Sequence, residues 1–301
     1  MVNHRIGRRV IEVTHPDRVL FPDDGYTKAD LAEYHLAVAD ALVPHLRDRP
    51  VMLQRFPEGI GAKGFYQKDR GRGMAKWIRT VEVPKQGGVV NHPVVDDTAA
   101  LLALTNLSTV SFHRWLSRAD RLDHPDLLVV DLDPSTPEFD EVKRAARWTR
   151  ELCDELDLST LLMASGSRGL HVVVPLDRSA TTDEVRAFAD GMALVLARRH
   201  PDELTVEFTK DDRGERLYLD VARNGWAQTT VAPYSVRPRP GAPVAVPITW
   251  EELEDPGLRP DGWTIETVLD RLAKVGDPWS GIGRRGRALH PRRAALDDLL
   301  A

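Results

Sequence analysis

The stretch Leu127-Leu128-Val129-Val130-Asp131-Leu132-Asp133-Pro134 constrains the fold more than any other in the chain. Four consecutive aliphatic residues describe a strand covered on both faces, and the proline ends it. Residues i and i+2 of a strand share a face, so Asp131 and Asp133 project together, roughly 7 Å apart at about 3.3 Å per residue. Two carboxylates closing a buried run are costly to desolvate unless a cation neutralises them. A divalent metal does this, and hard oxygen ligands suit Mg²⁺ or Mn²⁺. A strand that simply turns polar before its proline would read the same way, and Asp-x-Asp alone does not separate the two. Leu217-Tyr218-Leu219-Asp220 sets a third acid in an apolar strand. Were the two strands neighbours, three carboxylates would converge and could hold two ions roughly 3.5–4 Å apart, the usual apparatus for in-line phosphoryl transfer.

The surrounding pattern alternates between helix and strand. Thr27-Lys28-Ala29-Asp30 reads as a capping box opening a helix that runs to Pro44. Strands are predicted over 51–56 and 109–115, with a helix over 96–104 between them. Helices over 138–156 and 182–199 alternate with strands at 161–164, 171–176, 204–209, 217–221 and 231–236. Segments around 250–253 and 265–275 close the fold as helices. This predicts an α/β or α+β protein with one extended core: a single domain over 1–280, in lobes of about 1–115 and 116–280. A basic Gly/Arg-containing tail, 281–301, follows.

Ser165-Gly166-Ser167-Arg168-Gly169-Leu170-His171 is a second constellation. Glycines let backbone N–H groups approach a ligand, and Ser165, Ser167 and Arg168 add donors, so the loop fits a triphosphate cradle. It is not a Walker A loop, because no Gly-Lys-Ser/Thr opens a helix. A polar hairpin turn has the same composition, and His171, beginning an apolar strand, reads equally as a core histidine. His113 ends another strand and could donate to a phosphate or sugar. Phe65 and Tyr66 stand among Lys63, Lys68, Arg70, Arg72, Lys76, Arg79 and Lys85, against only Asp69 and Glu82. Aromatics interleaved with cations can stack bases while the cations hold the backbone; a core aromatic beside a solvated loop is the plainer alternative. Lys28 and Arg18 could grip a phosphate at a positive helix end.

Composition bounds the rest. The 301 residues carry 41 Lys plus Arg against 46 Asp plus Glu, a formal net charge of −5. No apolar run approaches the roughly 20 residues of a membrane span, so no membrane partner is expected. The first residues lack a secretory apolar stretch, which predicts a cytoplasmic protein. The single cysteine, Cys153, excludes an internal disulfide framework. Net acidity argues against a nucleic-acid partner only if charge is spread evenly, and it is not. Acids concentrate from Asp120 to Asp157, while Gly281 to Arg293 holds Arg284, Arg285, Arg287, Arg292 and Arg293 and no acid.

The ordered motifs HPDRVLFP, TKAD, QRFP, FYQK, HRW, DLDP, SGSRGLH, LDVARN and TTVAPYSVR, from His15 to Arg237, resemble the polymerase domain of bacterial DNA ligase D and its stand-alone relatives. That domain belongs to the archaeo-eukaryotic primase superfamily, and the likeness runs to about Lys274. The resemblance implies an α+β primase-polymerase core with mixed or antiparallel sheets flanked by helices. It implies a template-dependent nucleotidyltransferase that fills gaps or extends ends in non-homologous end joining, preferring ribonucleotides over deoxynucleotides. Two ions, Mn²⁺ or Mg²⁺, would be held by Asp131, Asp133 and Asp220. His113, Ser165, Ser167, Arg168, His171 and Arg237 would meet the incoming nucleotide. Arg18, Lys28, Arg55, Phe65, Tyr66 and Lys68 would meet DNA, with Arg18 and Lys28 on a 5′-phosphate. Gapped or broken DNA is the implied partner, with a DNA ligase and the Ku end-binding protein as candidate protein partners.

Four positions depart from the family pattern: Arg18 and Arg168 stand where lysine is common, Tyr66 where phenylalanine is frequent, and Gln54 replaces a basic residue before Arg55. They suit a divergent or stand-alone relative. Two alternatives remain at this level: a primase that starts chains de novo, and a non-catalytic DNA-end-binding and synapsis module. Retention of all three acids weighs against the second. A metal-dependent nuclease leaves the Ser165–His171 loop unexplained.

Overall fold

The computed structural model describes residues 1–301, and its contacts divide the chain into two compact units. The first comprises Met1–Trp115, Thr229–Val246 and Trp263–Gly276; the second comprises Leu116–Gln228, Pro247–Gly262 and Asp277–Ala301. No helix is long and apolar enough to cross a membrane.

The first unit is built on a four-stranded antiparallel sheet in the order Thr229–Val231, Thr109–Trp115, Val51–Arg55, Phe65–Gln67. Thr27 caps the helix Lys28–Ala37 as a full capping box with Asp30. The sequence pattern predicts one helix to Pro44, but the chain kinks at Val38, and a second helix, Ala39–Leu46, carries Pro44 inside it. Proline lacks the N–H that would bond the Asp40 carbonyl, and the helix ends within a turn of it. These helices and Thr98–Thr105 bury Leu31, Leu42, Leu46 and Leu101 with Leu53 and Phe112 of the sheet. An N-terminal hairpin, Val2–Ile6 with Arg9–Val13, lays Ile11 and Val13 on Ala32, Ala99 and Leu102. Of the strand expected over 231–236, only Val231 joins the sheet, as the end of Thr229–Val231, and Val236 makes an isolated bridge with Val244. Between them Tyr234 takes a left-handed backbone (φ 63°) and its carbonyl accepts from the Tyr34 hydroxyl at 2.8 Å.

The second unit holds a six-stranded sheet in the order Leu204–Thr205, Leu217–Asp220, Leu127–Asp133, Leu170–Pro175, Leu161–Ala164, Val246–Ile248. Leu127–Asp133 is central and antiparallel to both neighbours. Its first four residues and all of Leu170–Pro175 are buried, the condition its aliphatic run demands. Helices Phe139–Glu155 and Thr182–Arg199 pack on this sheet, the latter opened by a Thr181/Glu184 capping box. Residues 281–301 fold too: a 3₁₀ turn, Ile282–Arg285, leads to the helix His290–Leu300, whose Leu296 is fully buried.

Candidate active site

Register builds the acidic site. Asp131 pairs directly with Asp220 across one strand boundary and with His171 across the other, while Asp133 pairs with Tyr218. Directly opposed residues share a face, as do residues two apart. Asp131, Asp133, Asp220 and His171 therefore occupy one face of the second unit's sheet. Like charges directly opposite destabilise a strand pair, so Asp131 and Asp220 need a cation between or beside them.

The chain supplies partial answers. Asp131 Oδ1 lies 3.3 Å from His171 Nε2, Asp220 Oδ2 lies 3.2 Å from Arg223 Nε, and Asp133 lies 3.4 Å from Arg168 Nη2 and 3.7 Å from Arg213 Nη1. Burial, then the Asp131 charge, raises the Asp133 carboxyl above its ordinary proton affinity; Arg168 and Arg213 oppose this, and Asp220 adds to it. In this arrangement no three ligand side chains form a common coordination point. The donor set nevertheless suits a hard divalent cation: three carboxylates on one face, partly desolvated and mutually repelling. Asp133 and Asp220 lean on arginines, and Asp131 on the His171 ring, contacts that a divalent ion could replace.

The Ser165–His171 loop is held tightly to the acid strand. Ser165 Oγ accepts from the backbone N–H of Ser167 at 3.3 Å and of Gly169 at 3.2 Å. Gly166 takes positive φ (66°), and its N–H donates to the Pro260 carbonyl at 2.8 Å. A Cβ on Gly169 would lie 2.1 Å from the Leu132 carbonyl oxygen, so only glycine allows this approach. The Ser165 oxygen is thus spent on the loop itself, while Ser167 and Arg168 reach the surface. Behind the acids, buried Asn224 of the Ala222–Asn224 3₁₀ turn hydrogen-bonds the backbone of Val129.

The other predicted residues belong to the first unit. Lys28 is only 4% exposed, and its Nζ donates to the Thr14 carbonyl at 2.8 Å. Burial first, then the Arg18 and Arg55 charges, push its pKa down to about 8. Arg55, its own proton affinity lowered by burial, donates to the Leu107 carbonyl at 2.8 Å and to Gln67 Oε1 at 2.6 Å. Its guanidinium lies 5.2 Å from the Phe65 ring centroid. Arg18 donates to the Pro57 carbonyl and pairs with Glu58 at 3.3 Å. Arg18, Lys28, Arg55 and Phe65 thus make one basic, aromatic-edged cluster. Phe65 and Tyr66 are 46% and 57% exposed. Tyr66 meets the His113 ring edge-on, centroids 5.7 Å apart. Lys68 lies beyond Gln67 and is exposed, its charge felt at His92. The Arg237 N–H donates to the Pro243 carbonyl at 2.7 Å in a turn of the same unit.

Sequence reading missed Arg213. Its guanidinium, 3.8 Å from the Tyr218 ring centroid, donates to the carbonyls of Glu207 and Phe208 and reaches Asp133. In the charge-rich run Lys210-Asp-Asp-Arg213-Gly-Glu-Arg216 it carried no signal distinguishing it from solvated neighbours.

The model of the LigD primase-polymerase domain matches residues 27–279. The chain belongs to the LigD primase-polymerase family. It is 33% identical over 270 residues to the multifunctional non-homologous end joining protein LigD of Mycolicibacterium smegmatis, covering 89% of this chain and 35% of that protein. Against the Pseudomonas aeruginosa protein of the same name it is 34% identical over 276 residues, covering 90% and 32%. The chain thus spans about a third of the length of these LigD relatives. Among solved structures it is similar to the polymerase domain from Mycobacterium tuberculosis ligase D in complex with DNA, with TM-score 0.86 and 29% identity, covering 92% of this chain and 99% of that one. The α+β fold is that of the LigD polymerase domain. The LigD-matched span holds every predicted site residue except Arg18, and it ends before Gly281.

Proposed function

We propose that this chain is a template-directed nucleotidyltransferase of end-joining DNA repair, filling gaps at a 5′-phosphate with a preference for ribonucleotides. The observation that carries the reading is the register that sets Asp131 opposite Asp220 with Asp133 on the same face. Asp131, Asp133 and Asp220 would hold two divalent ions, Mn²⁺ or Mg²⁺. Bound there, such ions supply Lewis acidity at the α-phosphate and lower the pKa of an attacking 3′-hydroxyl.

The protein's own groups do the positioning. Arg168, exposed and only 3.4 Å from Asp133, can exchange its carboxylate for an incoming triphosphate, as the N–H groups and Ser167 hydroxyl of its loop offer further donors. His171 holds the Asp131 carboxylate from the adjacent strand. Lys28, Arg18 and Arg55 form a cationic cluster suited to a terminal phosphate, and a phosphate dianion would restore the proton affinity that Lys28 loses to burial. Phe65 and Tyr66 offer exposed rings to unpaired template bases. Fixed charges and orientation supply most of the rate in such a transfer.

The test is extension of a primer on a gapped duplex bearing a 5′-phosphate, with each sugar type and each metal. Extension is expected from the wild-type chain and lost in Asp131→Ala. Undiminished extension by the variant overturns the assignment.

A further inference from the structure

The arginines of the C-terminal segment divide into two sets. Arg292 pairs with Asp157 and Arg293 with Asp297 at 2.9 Å. Arg284, Arg285 and Arg287 are exposed and meet no carboxylate, although the chain carries more acids than bases. They sit on a short strap, Gly281 to Arg287, which lies beyond the span matched by the family.

The strap is fixed rather than loose. Upstream, Trp279 is buried, with its indole N–H donating to the Leu162 carbonyl at 3.1 Å. Downstream, Leu289 and Leu296 are buried. Between these anchors Arg287 bridges Leu176, its N–H donating to the Pro175 carbonyl at 3.1 Å and its carbonyl accepting from the Asp177 N–H at 3.2 Å. A Cβ on Gly286 would lie 2.5 Å from the Leu176 carbonyl oxygen, so glycine is required for the chain to lie this close. Three guanidinium groups within four residues repel one another, and the fold holds them together on a rigid backbone without neutralising any. That arrangement fits a surface whose counter-charge comes from another molecule.

We propose that Arg284, Arg285 and Arg287 bind the phosphate backbone of duplex DNA at a site separate from the acidic centre. The inference rests on the polymerase reading above. Leu176 ends the run that His171 begins at the acids, so the strap lies roughly 17 Å along the strand at about 3.3 Å per residue. That is the length of about five base pairs. For a duplex laid along that strand from the acids, the strap is reached only by arms that extend well past the gap.

The test uses gapped duplexes with a 5′-phosphate and arms of about 5 or about 20 base pairs, titrated with the full chain at several salt concentrations. Combined Arg284→Ala, Arg285→Ala and Arg287→Ala is expected to weaken binding to the long-armed duplex about tenfold or more at low salt. Its log K against log salt should become shallower by roughly 2 to 3, since each phosphate contact contributes about 0.9. Short-arm binding should be unchanged, the triple lysine variant should retain most of the affinity, and Arg292→Ala should behave as wild type. Equal affinity and slope on the long arm, or an equal loss on both arms, overturns the proposal. A wild-type chain that binds neither duplex overturns the polymerase reading and the proposal with it, an outcome distinguishable because no variant is needed to see it.

Discussion

The side-chain amide of Asn224 completes the backbone hydrogen bonding of Val129. Its Oδ1 accepts from the Val129 N–H at 2.8 Å, and its Nδ2 donates to the Val129 carbonyl at 2.7 Å and to the Val221 carbonyl at 2.9 Å. Pairing of the acid strand with Leu217–Asp220 reaches only Asp131. Asn224 takes over where that ladder stops, two residues before Asp131, and is 2% exposed.

Asn224→Ala should therefore destabilise the protein by about 2–4 kcal/mol, because it strands buried backbone groups. Asn224→Asp should cost at least as much, setting an oxygen where carbonyls need a donor. Urea unfolding followed by circular dichroism measures both. A change within about 0.5 kcal/mol of wild type would show that the amide is dispensable.

Asp220→Asn separates stability from chemistry. Asparagine keeps an acceptor for the Ala222 N–H, which Asp220 Oδ1 binds at 2.9 Å, and removes the like charge opposite Asp131. Metal-free melting temperature should hold or rise, while extension activity falls by roughly three orders of magnitude. Stabilisation of the wild type by added Mn²⁺ should disappear in the variant. A variant that melts earlier and still responds to Mn²⁺ would remove Asp220 from the ligand set.

Lys28 gives opposite pH dependences for stability and binding. Its folded pKa, about 8, lies below the ordinary 10.5, so between these values the unfolded chain binds more protons. Stability from this group therefore rises with pH through that window, where deprotonation relieves the buried charge. Affinity for a 5′-phosphate should fall over the same window, because the cation that binds it is lost. Comparing phosphorylated and unphosphorylated gaps from pH 7 to 10 reads this, and Lys28→Met should flatten the profile.

Gly169→Ala should loosen the nucleotide loop from the acid strand, since its Cβ has no space against the Leu132 carbonyl. Nucleotide affinity is expected to fall at least about tenfold, with stability lower by roughly 1–3 kcal/mol. Gly283→Ala, where nothing lies within 4 Å, is the control and should stay within about 0.5 kcal/mol. Fluorescent-nucleotide titration and thermal melts decide both.

What was legible in the sequence was whatever local chemistry decides alone. Four aliphatics ending in Asp-x-Asp read as a buried strand, and the Thr27 capping box marked its helix start to the residue. Long-range placement was not legible. Lys28 follows a helix cap, a position usually solvated, and only the packing against Thr14 buries it. Arg213 was hidden among like neighbours because its partners, Tyr218 and Asp133, come from a different strand pair. The basic tail conceals a helix because its apolar anchors, Leu289, Leu296 and Leu300, are too sparse to show a periodicity. Gly191 makes room for two of them on a helix about a hundred residues earlier, with Leu296 and Leu300 atoms 3.0 and 3.3 Å from where its Cβ would stand.

The chain's path between its two units has a consequence for how the molecule can be made and divided. It leaves the first unit after Trp115, re-enters at Thr229, leaves after Val246, re-enters at Trp263, and leaves again after Gly276. A ribosome that has synthesised residues 1–115 has not yet delivered Thr229–Val231, the edge strand of the first sheet. Neither unit can finish folding co-translationally before most of the chain has emerged, and closure of such distant pairings is intrinsically slow. A cut at Trp115 yields fragments with an open sheet edge rather than separable modules. The two units are spatial bodies woven from one thread, inherited and lost together.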